Sequence, residues 1–211
     1  MNRGVDKRTI VLSNADRLRF VNDLFIFNDT ERVENLGYVL KNNQAAPIKK
    51  SERLVTIHAW CLMGNHYHML LSDTVENGMS LFLKKLNAGY AKYFNKKYNR
   101  SGALFQGKTK RVHIQHERHF LYILPYIHLN PLDLKAGSRD WRIEHLQNPH
   151  AAIKWITDYR WSSFRNYAGE KEFAHILENS ELFEDRKEHV EELRSYLRAA
   201  PDPSLASINL E

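Results

Sequence analysis

Residues 54–72 read LVTIHAWCLMGNHYHMLLS. Leu54 to Leu62 and His66 to Ser72 are two β-rich runs, and Met63-Gly64-Asn65 between them supplies a turn. The stretch predicts a β-hairpin. Outward from it, Met79, Leu83, Leu86, Tyr90 and Tyr93 or Phe94 recur at helical spacing, which predicts a helix over 79–98. A first helix is expected over 16–27, capped by Asn14 or Asp16. Residues 28–50 are polar, contain Pro47 and read as a loop. Residues 108–115 read as a further strand. Residues 117–129 are apolar enough for a buried helix, which Asn130-Pro131 stops. The stretch 149–169 is mixed, and 181–199 reads as a charged amphipathic helix. There is no internal repeat. Strands and helices in this order predict an α+β fold, with helices packed on an antiparallel sheet.

The chain has 211 residues with a formal net charge of +6, is 43% hydrophobic and 27% charged, and so is expected to be soluble and globular rather than disordered. Its single cysteine, Cys61, excludes an intramolecular disulfide and points to a reducing compartment. No apolar run approaches the ~20 residues of a membrane span. The start, Met1 to Arg8, is charged and lacks the apolar core of a signal peptide. A cytoplasmic, nucleoid-associated protein with anionic partners and no membrane contact is expected.

Charge is unevenly spread. Residues 77–116 hold Lys84, Lys85, Lys92, Lys96, Lys97, Arg100, Lys108, Lys110 and Arg111 and no acid. Residues 170–211 hold eleven acids and five bases, a net of 5 − 11 = −6. A solvated face usually mixes both signs, so the basic block is assigned to nucleic acid. Its aromatics, Phe82, Tyr90, Tyr93, Phe94, Tyr98 and Phe105, fit two roles equally: the core side of a helix, or rings that stack on unpaired bases.

Two local patterns carry chemistry. His66 and His68, at i and i+2 on a strand, face the same way, and two adjacent neutral imidazoles supply most of a metal site. The alternative is a pair of half-exposed strand histidines. Tyr126 and Asn130 share a helix face at i and i+4. A tyrosine phenol, with a pKa near 10, is a poor nucleophile unless its target is polarised. A cation held by His66, His68 and the amide oxygen of Asn130 could polarise a phosphate beside Tyr126. Tyr122, one turn earlier, is the rival nucleophile, and a core tyrosine is the bland alternative for Tyr126. Other signals are set aside. His116-Glu117-Arg118-His119 has its histidines three apart, not the four of a zinc protease. Ser163 reads as a helix cap, Trp161 as a core anchor and Cys61 as a small buried group. A glycine-rich phosphate loop is absent.

With Ala59-Trp60-Cys61-Leu62-Met63 before it, His66-Tyr67-His68 resembles the His-hydrophobic-His strand of single-tyrosine, single-strand DNA transposases. Four further matches, in order, are similar to the REP-associated tyrosine transposases: Arg3-Gly4-Val5-Asp6-Lys7-Arg8, Leu104-Phe105-Gln106-Gly107-Lys108, Tyr126-Ile127-His128-Leu129-Asn130-Pro131 and Trp161-Ser162-Ser163-Phe164. The resemblance covers about residues 3–169. It implies a ferredoxin-like antiparallel sheet with the histidine pair on a central strand. It also implies a divalent metal, Mg2+ or Mn2+, with Asn130 at the third-ligand position, and Tyr126 as nucleophile. Two departures stand out. The family has a full β-strand before the Arg-Gly motif, where only Met1 and Asn2 precede Arg3, and Pro125 directly precedes Tyr126.

The activity implied is cleavage and rejoining of single-stranded DNA through a 5′-phosphotyrosine, with hairpin recognition. The alternatives are a non-catalytic hairpin-binding protein derived from a transposase and a hydrolytic nuclease. Residues 1–169 are expected to form the catalytic domain and 170–211 an acidic helical extension, by default solvated. Monomer and homodimer both remain open.

Overall fold

The computed structural model describes residues 1–31, 52–115, 117–138, 141–142, 146, 148–177 and 186–198. The hairpin forms as expected: β2 (Val55–Leu62) and β3 (His66–Asp73) pair antiparallel, with Leu62 opposite Tyr67 and Cys61 opposite His68. A two-residue strand, β1 (Asn2–Arg3), pairs with the other edge of β3, Arg3 opposite His66. The sheet order is therefore β1-β3-β2, and β3 is central.

Irregular segments line both rims of this sheet. On the β2 side, Leu62 N donates to Trp161 O and Ser163 N donates to Trp60 O, both at 2.9 Å. On the β1 side, Gln106 N donates to Arg3 O (2.7 Å) and Lys110 N to Met1 O (2.9 Å). These contacts satisfy backbone groups that a bare edge would leave open. They also explain why 108–115 is not the expected strand. Gly107, at φ +63, turns the chain just before this stretch, and Lys110 then bonds Met1. Beyond Lys110 the exposed Arg111 and Val112 follow no partner strand among the described residues.

One sheet face is covered by α1 (Asn14–Ile26) and α2 (Gly78–Lys97). Phe20 of α1 stacks at 5.1 Å on Tyr67 and at 5.0 Å on Tyr90 of α2. Phe82, Leu83, Leu86, Tyr90 and Phe94 are buried, so the α2 rings are core residues, and Phe105 is buried with them. The N-cap of α1 is Ser13, not Asn14 or Asp16. Its hydroxyl accepts from Asp16 N, while the Asp16 carboxylate accepts from Ser13 N and Leu12 N, a reciprocal capping box. Asp16 also accepts from Lys97 Nζ (2.5 Å), Tyr93 Oη (3.0 Å) and Tyr98 Oη (2.6 Å). Burial pushes this carboxyl up, but the ammonium, the two phenols and the backbone donor outweigh it and hold it at about 2.

The other face carries α3 (Glu117–Leu129), which contacts both β2 and β3. Pro125 lies inside it, and a 3-10 turn (Asn130–Leu134) follows. The stretch 149–169 resolves into α4 (Pro149–Asp158) and the single turn α5 (Phe164–Tyr167). Ser163 precedes α5 but its side chain caps nothing. Its hydroxyl instead accepts from Trp60 N and donates to Trp60 O. Trp161 and Cys61 are buried, as expected. The C-terminal helix α6 (Arg186–Arg198) is not a solvated appendage: it packs on α4 and α5 and buries His189, Leu193 and Leu197. Residues 32–50 of the expected loop, and 181–185 and 199 of the expected tail helix, lie outside the described residues. No helix of the described residues is long and apolar enough to cross a membrane. The architecture is α+β, with three antiparallel strands among the described residues.

Candidate active site

The site is built around β3 and the C-terminal half of α3. His66 and His68 project from the same side of β3 with ring centroids 4.9 Å apart and planes nearly perpendicular. Each is fixed differently. His66 Nδ1 donates to Asn65 Oδ1 at 2.6 Å, which leaves Nε2 as the basic nitrogen. Asn65 is held in turn by the Arg-Gly segment: Gly4 N donates to Asn65 O (2.8 Å), and Asn65 Nδ2 donates to Lys7 O (3.2 Å). His68 is buried, and its Nε2 has no hydrogen-bond partner. Burial, reinforced by His66, Arg142 and Arg3, pushes its pKa well below the usual histidine range. A neutral imidazole with a buried bare nitrogen is the form that ligates a cation. Two basic imidazole nitrogens on one face therefore fit a divalent ion. Among the described residues no group of three or more His, Cys, Asp or Glu is placed to hold one, so a third protein donor must be an amide or another oxygen.

Tyr126 meets His68 directly. Its ring lies edge-on to His68 at 5.6 Å, and the residue is 4% exposed. Tyr122 stacks 5.7 Å from Tyr126 and 6.2 Å from Tyr196 of α6. Burial raises the Tyr122 phenol, with Tyr196 and Arg142 acting in the opposite sense. Asn130 is fully buried. Its Nδ2 donates to Tyr126 O at 2.6 Å, closing the end of α3, and its Oδ1 accepts from Arg142 at 3.2 Å.

Arg142 is the site residue that sequence reasoning missed. Its guanidinium grips Asp133 through two bonds, of 2.5 and 3.0 Å, and lies 5.2 Å from the Tyr126 ring centroid. Burial pulls its pKa down, but Asp133 and the Tyr126 phenol more than restore it. A fixed cation thus stands beside the phenol and the amide oxygen. No short motif links Arg142 to Tyr126, sixteen positions earlier, and only the turn through Asp133 and Trp141 brings them together.

The nine basic residues separate into groups. Lys84, Lys92 and Lys96 are exposed along α2, and Lys108, Lys110 and Arg111 are exposed beside β1. Lys108 and Lys110 share a furrow of about 560 Å³ with Arg3 and Lys7. Arg100 donates to Asn95 Oδ1 at 3.1 Å and lies over the Phe94 ring. Two lysines are committed to the fold: Lys85 Nζ bonds the carbonyls of Asp29 and Glu31, and Lys97 is paired with Asp16.

No curated protein and no solved structure matches the chain. Residues 39–129 match the family described as "Transposase IS200 like", a span that contains the whole hairpin, the basic helix α2 and the tyrosine helix to its last residue. That span, which includes His66, His68 and Tyr126, is what the chain shares with IS200-like transposases.

Proposed function

We propose that the protein is a metal-dependent strand transferase acting on single-stranded DNA, with Tyr126 as its nucleophile. The observation that carries this reading is the contact between the Tyr126 ring and His68, whose buried Nε2 has no partner in the protein. His66 and His68 would hold a divalent ion, with the amide oxygen of Asn130 as a third donor once Arg142 releases it. Bound there, the ion supplies Lewis-acid polarisation of the scissile phosphate. Imidazole donors suit manganese better than magnesium.

The remaining steps belong to the chain. Lys108, Lys110, Arg3 and Lys7 hold backbone phosphates in their furrow. Tyr126 loses its phenol proton, and its oxygen attacks phosphorus in line. The bond to the 3′-oxygen breaks, that oxygen gains a proton, and a 5′-phosphotyrosine forms. Attack by another 3′-hydroxyl reverses the step, so rejoining needs no external energy source. Arg142 positions the phenol through its contacts with Asp133 and the Tyr126 ring.

A second reading, a hairpin-binding protein without chemistry, is favoured by the bond that occupies Asn130 Oδ1 and by the burial of Tyr126. A denaturing gel separates the two. Protein incubated with Mn2+ and labelled, hairpin-bearing single-stranded DNA should give a covalent adduct that Tyr126→Phe abolishes while binding persists. An adduct that survives Tyr126→Phe transfers the role to Tyr122. Salt-sensitive binding with no adduct under any divalent metal establishes the second reading.

A further inference from the structure

A cleft of about 580 Å³ opens along β3 where β1 no longer covers it. Its walls are mostly apolar: Leu71 from β3, Met79 and Leu83 from α2, Val112 and Ile114 from the irregular segment, and Ile123 from α3. Lys110 and Arg111, both exposed, line it as well, and Arg111 is braced by a 2.9 Å bond from Nη1 to Ser80 Oγ. His68 forms part of the same wall, so the cleft is continuous with the candidate reaction site. Its one acidic lining residue, Asp73, is already engaged, accepting from Met79 N at the start of α2.

We propose that this cleft takes one unpaired nucleobase of the bound strand, at a nucleotide adjoining the phosphate on which the His68 and Tyr126 site acts. The proposal rests on the strand-transferase reading and adds a subsite to it. The volume falls within the range of small-ligand sites. The aliphatic and thioether walls offer a dry surface for the faces of a base, and the two cations match the phosphates joined to it. An apolar peptide would use the walls and leave Lys110 and Arg111 idle, whereas a nucleotide uses both. A base inside a duplex cannot enter, so the cleft gives a structural reason for acting on single strands.

The test uses the full chain carrying Tyr126→Phe, so that binding is read without chemistry. The probe is a hairpin oligonucleotide with a single-stranded flank, scanned with 2-aminopurine and, separately, with abasic positions. One flank position should show a strong fluorescence change on binding, and loss of the base there should weaken binding about tenfold or more. Val112→Trp fills the cleft from a side chain that is 50% exposed, so the fold tolerates it. That variant should erase the position effect while leaving the abasic strand bound as before. A flat abasic scan with strand binding intact overturns the subsite alone. A position effect that Val112→Trp leaves unchanged overturns it too. Absence of any single-strand binding overturns the underlying reading and the subsite with it.

Discussion

Among the described residues, two pairs of histidines have ring centroids 4.9 Å apart, and they are wired differently. In the pair formed by α3 and α6, His189 Nε2 donates to His128 Nδ1 at 2.7 Å, and His128 Nε2 donates to Ser163 Oγ at 2.8 Å. Ser163 in turn donates to Trp60 O. The protons run in one direction from the C-terminal helix to the sheet. Only His189 Nδ1, at the start of the relay, lacks a hydrogen bond, with Glu192 3.7 Å away. In the pair on β3 the rings do not bond each other, and the bare nitrogen of His68 is buried beside Tyr126. One pair is bonded ring to ring and ring to sheet, and the other leaves its buried nitrogen beside a phenol. A buried polar atom left unpaired costs roughly 1–3 kcal/mol, a cost that suits a position serving an incoming ligand.

Breaking each pair should therefore give opposite results. The largest effect is expected from His68→Leu. It should abolish Mn2+-dependent adduct formation on a denaturing gel while leaving the thermal midpoint unchanged or raised, because an orphaned polar atom is removed. A fall in midpoint would show that His68 holds the fold instead. Acid should act on every buried histidine, His68 included, and the second pair gives the effect its size. Burial brings His189 from its ordinary 6.5 to about 4 and holds His128 well below its usual range, with His189 adding to the effect. As pH falls, the unfolded chain takes up protons before the folded one does. Stability is whole above about pH 6.5 and is lost progressively towards pH 4, by an amount on the order of 3 kcal/mol for His189. Urea titrations across that window measure it, and a flat profile would refute the neutral pair.

His128→Leu should lower stability by about 2 kcal/mol, since Ser163 and His189 each lose a partner. Per folded molecule, adduct formation should persist. The smallest effect concerns charge. Lys84→Ala, Lys92→Ala and Lys96→Ala should each leave the thermal midpoint within error and reduce the salt dependence of single-strand binding by a log–log slope of about 0.7. Lys97→Ala should do the reverse, destabilising the protein by stranding the Asp16 carboxylate.

The same contrast shows what a sequence can disclose. The hairpin, the histidine pair and the tyrosine helix rest on short-range patterns: period two, a Gly-Asn turn, and an apolar run stopped at Asn130-Pro131. The His128 relay could not be read, because its members come from residues 60, 128, 163 and 189 and meet only through tertiary packing. Ser163 looked like a cap because serine before a helix usually is one, yet a strand backbone claimed its hydroxyl first. Lys97 and Lys85 look identical in sequence to Lys92, and only burial of Asp16 and the carbonyls after Asn28 distinguish them. The apparent strand at 108–115 carries the right residues, but beyond Lys110, which bonds Met1, it finds no partner strand among the described residues. Arg142 escaped for the same reason as the relay.

Gly4 has a reach beyond its own turn. A Cβ built there would fall 2.2 Å from the Arg8 carbonyl oxygen and 2.9 Å from Ile10 Cγ2, so even alanine forces the N-terminal turn outward. That turn supports the carboxamide that sets the tautomer of His66. One added methyl, without touching the imidazole, would loosen the proton that decides which of its nitrogens is presented, and loss of activity together with a lowered melting midpoint would be its signature.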